Sequence, residues 1–213
     1  YVIVFNGEIY NHALMRKELE AGAKAAVWRG HSDTETLLAG FDAWGVQGTL
    51  ERAIGMFAFA VWDRQTKALA LGRDRLGEKP LYYGWQGWGN NAVFLFGSEL
   101  KALRAHPAFE HVIDRGSICL QMRLSYIPAP HSIYRGIAKL PPGCLLSVSA
   151  SRPEPTLSTY WSAEQHMRSG VASPFTGSAQ QAVDQLETLL KQAVKAQMMA
   201  DVPLGAFLSG GID

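Results

Sequence analysis

The chain has 213 residues, of which 47% are hydrophobic and 18% charged, with a formal net charge of +1. Such a composition describes a soluble globular protein, long enough for one large domain or for one domain and part of another. The near-neutral charge gives no basis for nucleic-acid or membrane-surface binding, and no apolar run is long enough to span a bilayer or resembles a signal peptide.

The chain opens on Val2-Ile3-Val4-Phe5, a β-branched and aromatic run that predicts a buried strand. Asn6-Gly7 is expected to end it, because both residues tolerate positive φ. Two readings follow. Asn-Gly between apolar runs is a hairpin signal. Alternatively, a strand ending there leaves an amide side chain and a backbone N–H at the sheet edge, two donors able to hold a developing oxyanion. The next residues favour the second reading, since Leu14, Met15, Glu18 and Leu19 fall at helical spacing, with Asn11 as cap and Gly22 as stop.

Ser32 and Glu35 have capping-box spacing, and Leu37, Leu38, Phe41 and Trp44 then form one helical face that ends at Gly45. Asp33 in the first turn suits the helix dipole on its own account. It is also an acid able to hold a substrate ammonium. Met56 to Asp63 is apolar on both faces and predicts a covered central strand. A turn at Arg64 to Lys67 leads to its hairpin partner, Ala68 to Leu71. The loop from Arg73 to Pro80 holds two Arg, one Lys, one Asp and one Glu, which reads as a salt-bridged structural knot. Leu81 to Trp85 and Ala92 to Phe96 predict a second hairpin, and Ser98 to Leu103 a short helix.

Beyond residue 105, Ile127-Pro128-Ala129-Pro130 and Leu140-Pro141-Pro142-Gly143 interrupt any long element. Short strands are expected around Ile118-Cys119-Leu120 and from Cys144 to Val148, with a turn-rich stretch from Ser151 to Thr159. Cys119 and Cys144 sit in apolar contexts and read as reduced, inert, buried thiols. Residues 162–177 are the expected linker. Ser178 and Gln181 then start a helix with Val183, Leu186, Leu190, Val194 and Met198 in one stripe. Leu204 to Leu208 predicts a short buried strand running into Ser209-Gly210-Gly211-Ile212-Asp213. That ending is either a plain Gly-Gly turn or, with a helix behind it, an anion nest.

Taken together, several of these stretches resemble glutamine-dependent asparagine synthetases. They are Phe5 to Asn11, Ser32 to Glu35, Gly55 to Ala60, Gly72 to Tyr83, Ser98 to Leu103, Leu140 to Gly143 and Asp201 to Asp213, in the family's order. The resemblance implies an α+β chain. A four-layer α/β/β/α N-terminal-nucleophile hydrolase sandwich at 1–161 is followed by a linker at 162–177. The first helix and strand of an α/β ATP-pyrophosphatase domain follow at 178–213. It implies hydrolysis of glutamine to glutamate and ammonia, and delivery of the ammonia through a tunnel to an aspartyl-adenylate made from aspartate and MgATP; a cytoplasmic location is expected from the lack of a secretory signal pattern. Carried over by position, Asn6 and Gly7 are the oxyanion donors, and with Glu8 and Asp33 they line the glutamine site. Phe207, Ser209, Gly210, Gly211 and Asp213 contact ATP and its pyrophosphate, with Asp213 associated with Mg2+. A homodimer is common in the family.

The family's nucleophile is a Cys at the mature N-terminus, activated by its own α-amino group. This chain begins at Tyr1, and Cys119 and Cys144 are internal. The sequence is therefore expected to be a piece of a longer protein, inactive by itself. Three other readings share parts of the pattern. One is a paralogue amidating another carboxylate, such as a sugar acid or a β-lactam precursor. Another is a non-catalytic glutamine-binding relative. The third, a phosphoribosyl-dependent amidotransferase, fits the Ser-Gly-Gly ending poorly.

Overall fold

Strand β2 (Gly55–Asp63) shows how the core is divided, because its side chains alternate between two apolar clusters. Phe57, Phe59 and Val61 join Ile9, Met15, Leu37, Phe41 and Leu50 under the helices α1 (His12–Glu20) and α2 (Asp33–Arg52). Ala58 and Ala60 face the other way, toward Leu71, Leu81, Leu140, Cys144 and Leu146. Small alanines on that face leave room for the half-buried rings of Tyr83, Phe94 and Phe96 from a second sheet. The computed structural model describes residues 1–22, 27–199, 202–207 and 210. Two compact units divide the chain, Tyr1–Gln165 and His166–Asp213.

In the first unit, a five-stranded antiparallel sheet runs in the order β1-β2-β3-β7-β8, with β1 (Val2–Ile9) and β8 (Arg152–Thr159) at its edges. Strands β3 (Ala68–Arg73) and β7 (Cys144–Ser149) complete it. A three-stranded sheet has the order β5-β4-β6, from β4 (Tyr82–Gln86), β5 (Val93–Gly97) and β6 (Ala138–Lys139). A third cluster of Leu103, Phe109 and Ile137 packs with Tyr82 and Leu95, residues alternate to those facing the first sheet. It brings in α3 (Leu100–Arg104). Helices, sheet, sheet and helix therefore follow one another through three apolar layers, a mixed α/β fold.

Several predicted elements form with different details. Strand β1 does not end at Asn6-Gly7. It continues to Ile9 in unbroken register, Asn6 opposite Ala58 and Gly7 opposite Phe57, so neither the hairpin nor the strand end occurs there. Pairing with β2 overrides the local turn preference. Asn11 precedes α1 but does not cap it through its side chain. Its amide donates to Arg52 O at 2.9 Å and accepts from Ile54 N at 2.8 Å, joining the start of α1 to the end of α2. Ser32 Oγ caps Glu35 N at 3.2 Å as expected, whereas the Glu35 carboxylate accepts from the Arg29 and Gly30 N–H groups. Gly45, with φ 73° and ψ 168°, breaks α2, and helix resumes to Arg52.

Three expectations fail. Ile118-Cys119-Leu120 is helical, inside α4 (Arg115–Leu124). Asp114 caps it by accepting from Gly116 N, and Ser125 in the left-handed region ends it. Cys119 is consequently exposed, while Cys144 is buried as expected. The stretch Ser151 to Thr159 is mostly strand β8. Pro153 and Pro155 are compatible with it because an edge strand need not donate on both sides. Finally, Leu204 to Phe207 lies outside helix and strand and is exposed, and Leu208 lies outside the described residues. A strand needs a neighbouring ladder and a face to bury, and the described part of this segment has neither.

The charged loop after β3 is a knot, but backbone hydrogen bonds hold it. Arg73 donates to the carbonyls of Lys79, Leu140 and Gly77 at 2.7, 2.7 and 2.6 Å. Asp74 is fully buried, and its carboxylate accepts from the N–H groups of Phe57, Leu76, Glu78 and Lys79. Neither charge is paired with the other in the expected salt-bridge manner, because each is satisfied by the main chain.

Helix α5 (Ala163–Ala172) lies within residues 162–177, and the boundary between the units falls inside it. Helix α6 (Ala179–Ala196) carries a complete capping box between Ser178 and Gln181. Its apolar stripe, Val183, Leu186, Leu190 and Val194, is exposed along its length. Among the described residues no helix is long and apolar enough to cross a membrane.

Candidate active site

Of the first group of predicted site residues, the Gly7 backbone and Asp33 lie along the open edge of β1, while Asn6 and Glu8 project from one face of the strand. Register decides where the backbone of Gly7 points. Phe57 N donates to Asp74 Oδ2 at 3.2 Å, and Phe57 O accepts from Asp74 N at 2.8 Å. Both polar groups of Phe57 are thus turned away from β1. Its partner Gly7 is in a non-hydrogen-bonded pair, so the Gly7 N–H and C=O face the unpaired side of the edge strand. Ile9 obeys the same alternation, and its N–H on that side donates to Asp33 Oδ2 at 2.9 Å. Two residues of strand place the Gly7 N–H and this Asp33 contact roughly 7 Å apart along one edge.

Gly7 is also a steric requirement. Its φ is 155°, and a Cβ built on it would lie 2.2 Å from Met56 O and 2.6 Å from Phe57 Cα. Only glycine lets β2 approach this closely while the N–H stays on the outside.

The side chain of Asn6 projects to the opposite face from Phe5 and Ile9, which pack in the first cluster. Its Nδ2 donates to Ser98 Oγ at 3.0 Å, just beyond the end of β5. Glu8 lies on the same face as Asn6 by strand alternation. Tyr10 follows, and burial, then the charges of Glu78, Glu8 and Asp74, raise its hydroxyl pKa above the ordinary value.

Asp33 opens α2 directly after the Ser32 cap. Its Oδ1 accepts from Thr34 N at 2.7 Å and from Thr34 Oγ1 at 3.3 Å, and its Oδ2 from Ile9 N. The carboxylate thus locks the helix start to the β1 edge, and acceptor capacity remains for one further donor.

Of the second group, the structure describes only Phe207 and Gly210. Phe207 is fully exposed, and space around Gly210 is open. Ser209, Gly211 and Asp213 lie outside the described residues. The described part of this segment forms no cradle for a nucleotide, and no cluster of three metal-ligating side chains occurs among the described residues.

Two residues matter to the first group without having been singled out in the sequence. Asp74 diverts Phe57 from β1, and Ser98 receives the Asn6 amide. Both lie inside stretches that carry the family resemblance, but their function depends on contacts 17 and 92 residues away, which no local pattern announces.

Comparisons with known proteins bear on the family of the chain. A sequence profile of the glutamine amidotransferase domain matches residues 1–161, and one of asparagine synthase matches residues 185–213. A Mycobacterium tuberculosis protein provisionally named asparagine synthetase [glutamine-hydrolyzing] is 39% identical over 214 residues, covering 100% of this chain and 32% of that protein. Asparagine synthetase [glutamine-hydrolyzing] 3 of Bacillus subtilis is 36% identical over 219 residues, covering 100% of this chain and 32% of its own length. The chain thus spans about a third of the length of these relatives. Among solved structures, the glutamine phosphoribosylpyrophosphate amidotransferase from B. subtilis, complexed with ADP and GMP, aligns with a TM-score of 0.50 at 17% identity. It covers 74% of this chain and 28% of that one, a likeness of fold alone. By the match over residues 1–161 of its 213, the chain belongs to the glutamine amidotransferase domain family.

Proposed function

We propose that the chain is the glutamine-hydrolysing part of an asparagine synthetase, with a four-layer N-terminal-nucleophile sandwich at 1–161, a connecting segment at 162–177 and the start of an ATP-pyrophosphatase domain at 178–213. The observation that carries this reading is the Gly7 N–H on the open β1 edge, with Asp33 bonded two residues further on and the neighbouring Asn6 amide anchored on Ser98. In this reading the glutamine α-ammonium lies against Asp33, with Glu8 also lining the site. Its carboxamide carbon lies where Asn6 and Gly7 meet. As the carboxamide is attacked, its oxygen gains charge, and the Gly7 N–H and Asn6 Nδ2–H are donors already in place for it. Preset donors cost no reorganisation at that moment, which is why removing one typically slows such reactions by about a hundredfold or more.

The whole protein would use ATP with Mg2+ to activate aspartate as the acceptor of the ammonia. What this chain contributes in this reading is the oxyanion donors and the ammonium contact of the glutamine step. The reading is tested by assaying the full-length protein with glutamine, MgATP and aspartate. Asparagine and AMP should form only when all three are present. Glutamate release without aspartate-dependent AMP would retain the amidotransferase and sink aspartate as the acceptor, in favour of another carboxylate. No glutamate release at all would leave a glutamine-binding protein.

A further inference from the structure

Ser98 sits one residue past β5, on the sheet opposite the candidate oxyanion donors, yet its hydroxyl oxygen is where the Asn6 amide is anchored. The bond, Asn6 Nδ2 to Ser98 Oγ at 3.0 Å, spans 92 residues and links the edge strand of the first sheet to the end of a strand in the second. A primary amide carries two N–H donors fixed in one plane. The terminal torsion of an asparagine is broad, so an unanchored amide on a strand edge samples many directions. Engaging one N–H on Ser98 fixes the direction of the other.

Ser98 is itself held firmly. Gly97 closes β5 opposite Tyr82, and Glu99 opens α3, with its carbonyl accepting from Ala102 N at 3.1 Å. The fit of α3 against the strand end is close, since a Cβ on Gly97 would lie 2.8 Å from Leu103 Cδ1. Leu103 is buried in the third cluster. The hydroxyl therefore stands on a tight connection between a paired strand and an anchored helix. The fold has little need of the Asn6–Ser98 bond, because Asn6 is exposed and either group could bond water instead.

We propose that Ser98 is a positioning residue that aims the Asn6 amide as an oxyanion donor, an inference that rests on the glutamine-hydrolysis reading above. Ser98 touches no reacting atom and acts through Asn6. Loss of its hydroxyl releases the amide without removing it, so the cost falls below that of removing the donor.

The test uses the full-length protein and measures steady-state glutamine hydrolysis together with thermal melting for the wild type, Ser98→Ala, Ser98→Thr, Asn6→Ala and the Ser98→Ala/Asn6→Ala double variant. Ser98→Ala should lower kcat about tenfold, against about a hundredfold for Asn6→Ala. Its KM should stay within about twofold, because the hydroxyl acts on the transition state rather than on bound glutamine. Its melting temperature should be unchanged. Ser98→Thr, which keeps the oxygen, should recover most of the rate. The double variant should be no slower than Asn6→Ala, since without the amide nothing is left to aim. Wild-type kcat in Ser98→Ala, a KM effect alone, or losses that multiply in the double variant would each overturn the proposal. A wild type that hydrolyses no glutamine, or an Asn6→Ala variant at full speed, would instead overturn the glutamine-hydrolysis reading or its oxyanion assignment, and the role of Ser98 with it.

Discussion

Gly7 concentrates the constraints of the β1 edge in one residue. Its N–H faces outward because Asp74 has claimed both backbone groups of Phe57, and its missing side chain is what lets β2 lie alongside. Gly7→Ala places a Cβ 2.2 Å from Met56 O, a backbone atom of a central strand that cannot swing aside like a flexible side chain. We expect a loss of about 2 kcal/mol or more, of the size that overpacking and backbone strain produce. Thermal melting of the chain should register this as a fall in Tm of roughly 4–8 °C. A variant melting with the wild type would show that β1 is not held against β2 as described. The sequence discloses part of this. Asn6, Gly7 and Asp33 are legible as candidates from residue type and neighbouring helix signals. The way Gly7 works is not, since the orientation of its N–H is set by Asp74, whose partner Phe57 is 17 residues earlier in the chain.

Among the elements, strands and helices with strong periodicity were readable, and those decided by tertiary neighbours were not. The continuous apolar run of β2 and the capping signals at Ser32 and Ser178 are local, and the corresponding elements form where expected. Strand β8 escaped because Pro153 and Pro155 resemble turn residues, and only its place at the sheet edge makes them acceptable. Helix α4 escaped because Ile118-Cys119-Leu120 looks apolar and strand-like. The available signal was Asp114, whose carboxylate accepts from the N–H of Gly116 and the hydroxyl of Ser117. The difference has a chemical consequence. The apolar neighbours of Cys119 predict a buried thiol, whereas the helix exposes it and leaves Cys144 the buried one. Titration of the native chain with a thiol reagent should therefore modify Cys119 rapidly and Cys144 only after denaturation, as mapped by peptide mass spectrometry. Fast modification of neither, or of both, would contradict the helical assignment or the burial of Cys144.

At the scale of the molecule, the two units differ in what they bury. Tyr1–Gln165 contains three apolar clusters, with Phe41, Phe57 and Phe59 at most 1% exposed. In the second unit, α6 has a well-formed cap and an apolar stripe, but no residue of the helix is buried. Capping stabilises a helix by about 1 kcal/mol, and an isolated helix of this length is marginal in water without packing on its apolar face. A stripe of Val183, Leu186, Leu190 and Val194, each more than half exposed, is the face that the proposed second domain would bury. Hydrogen exchange separates these states. In the 213-residue chain, amides of Ala179–Ala196 should exchange at least about a hundredfold faster than those of β2, because their opening costs little while β2 opens only with the core. In the full-length protein the same helix should gain protection that approaches the level of β2, as its stripe becomes covered. Equal protection of α6 in both would mean that the helix is stable without its proposed domain, and the assignment of residues 178–213 to a second folding unit would fall.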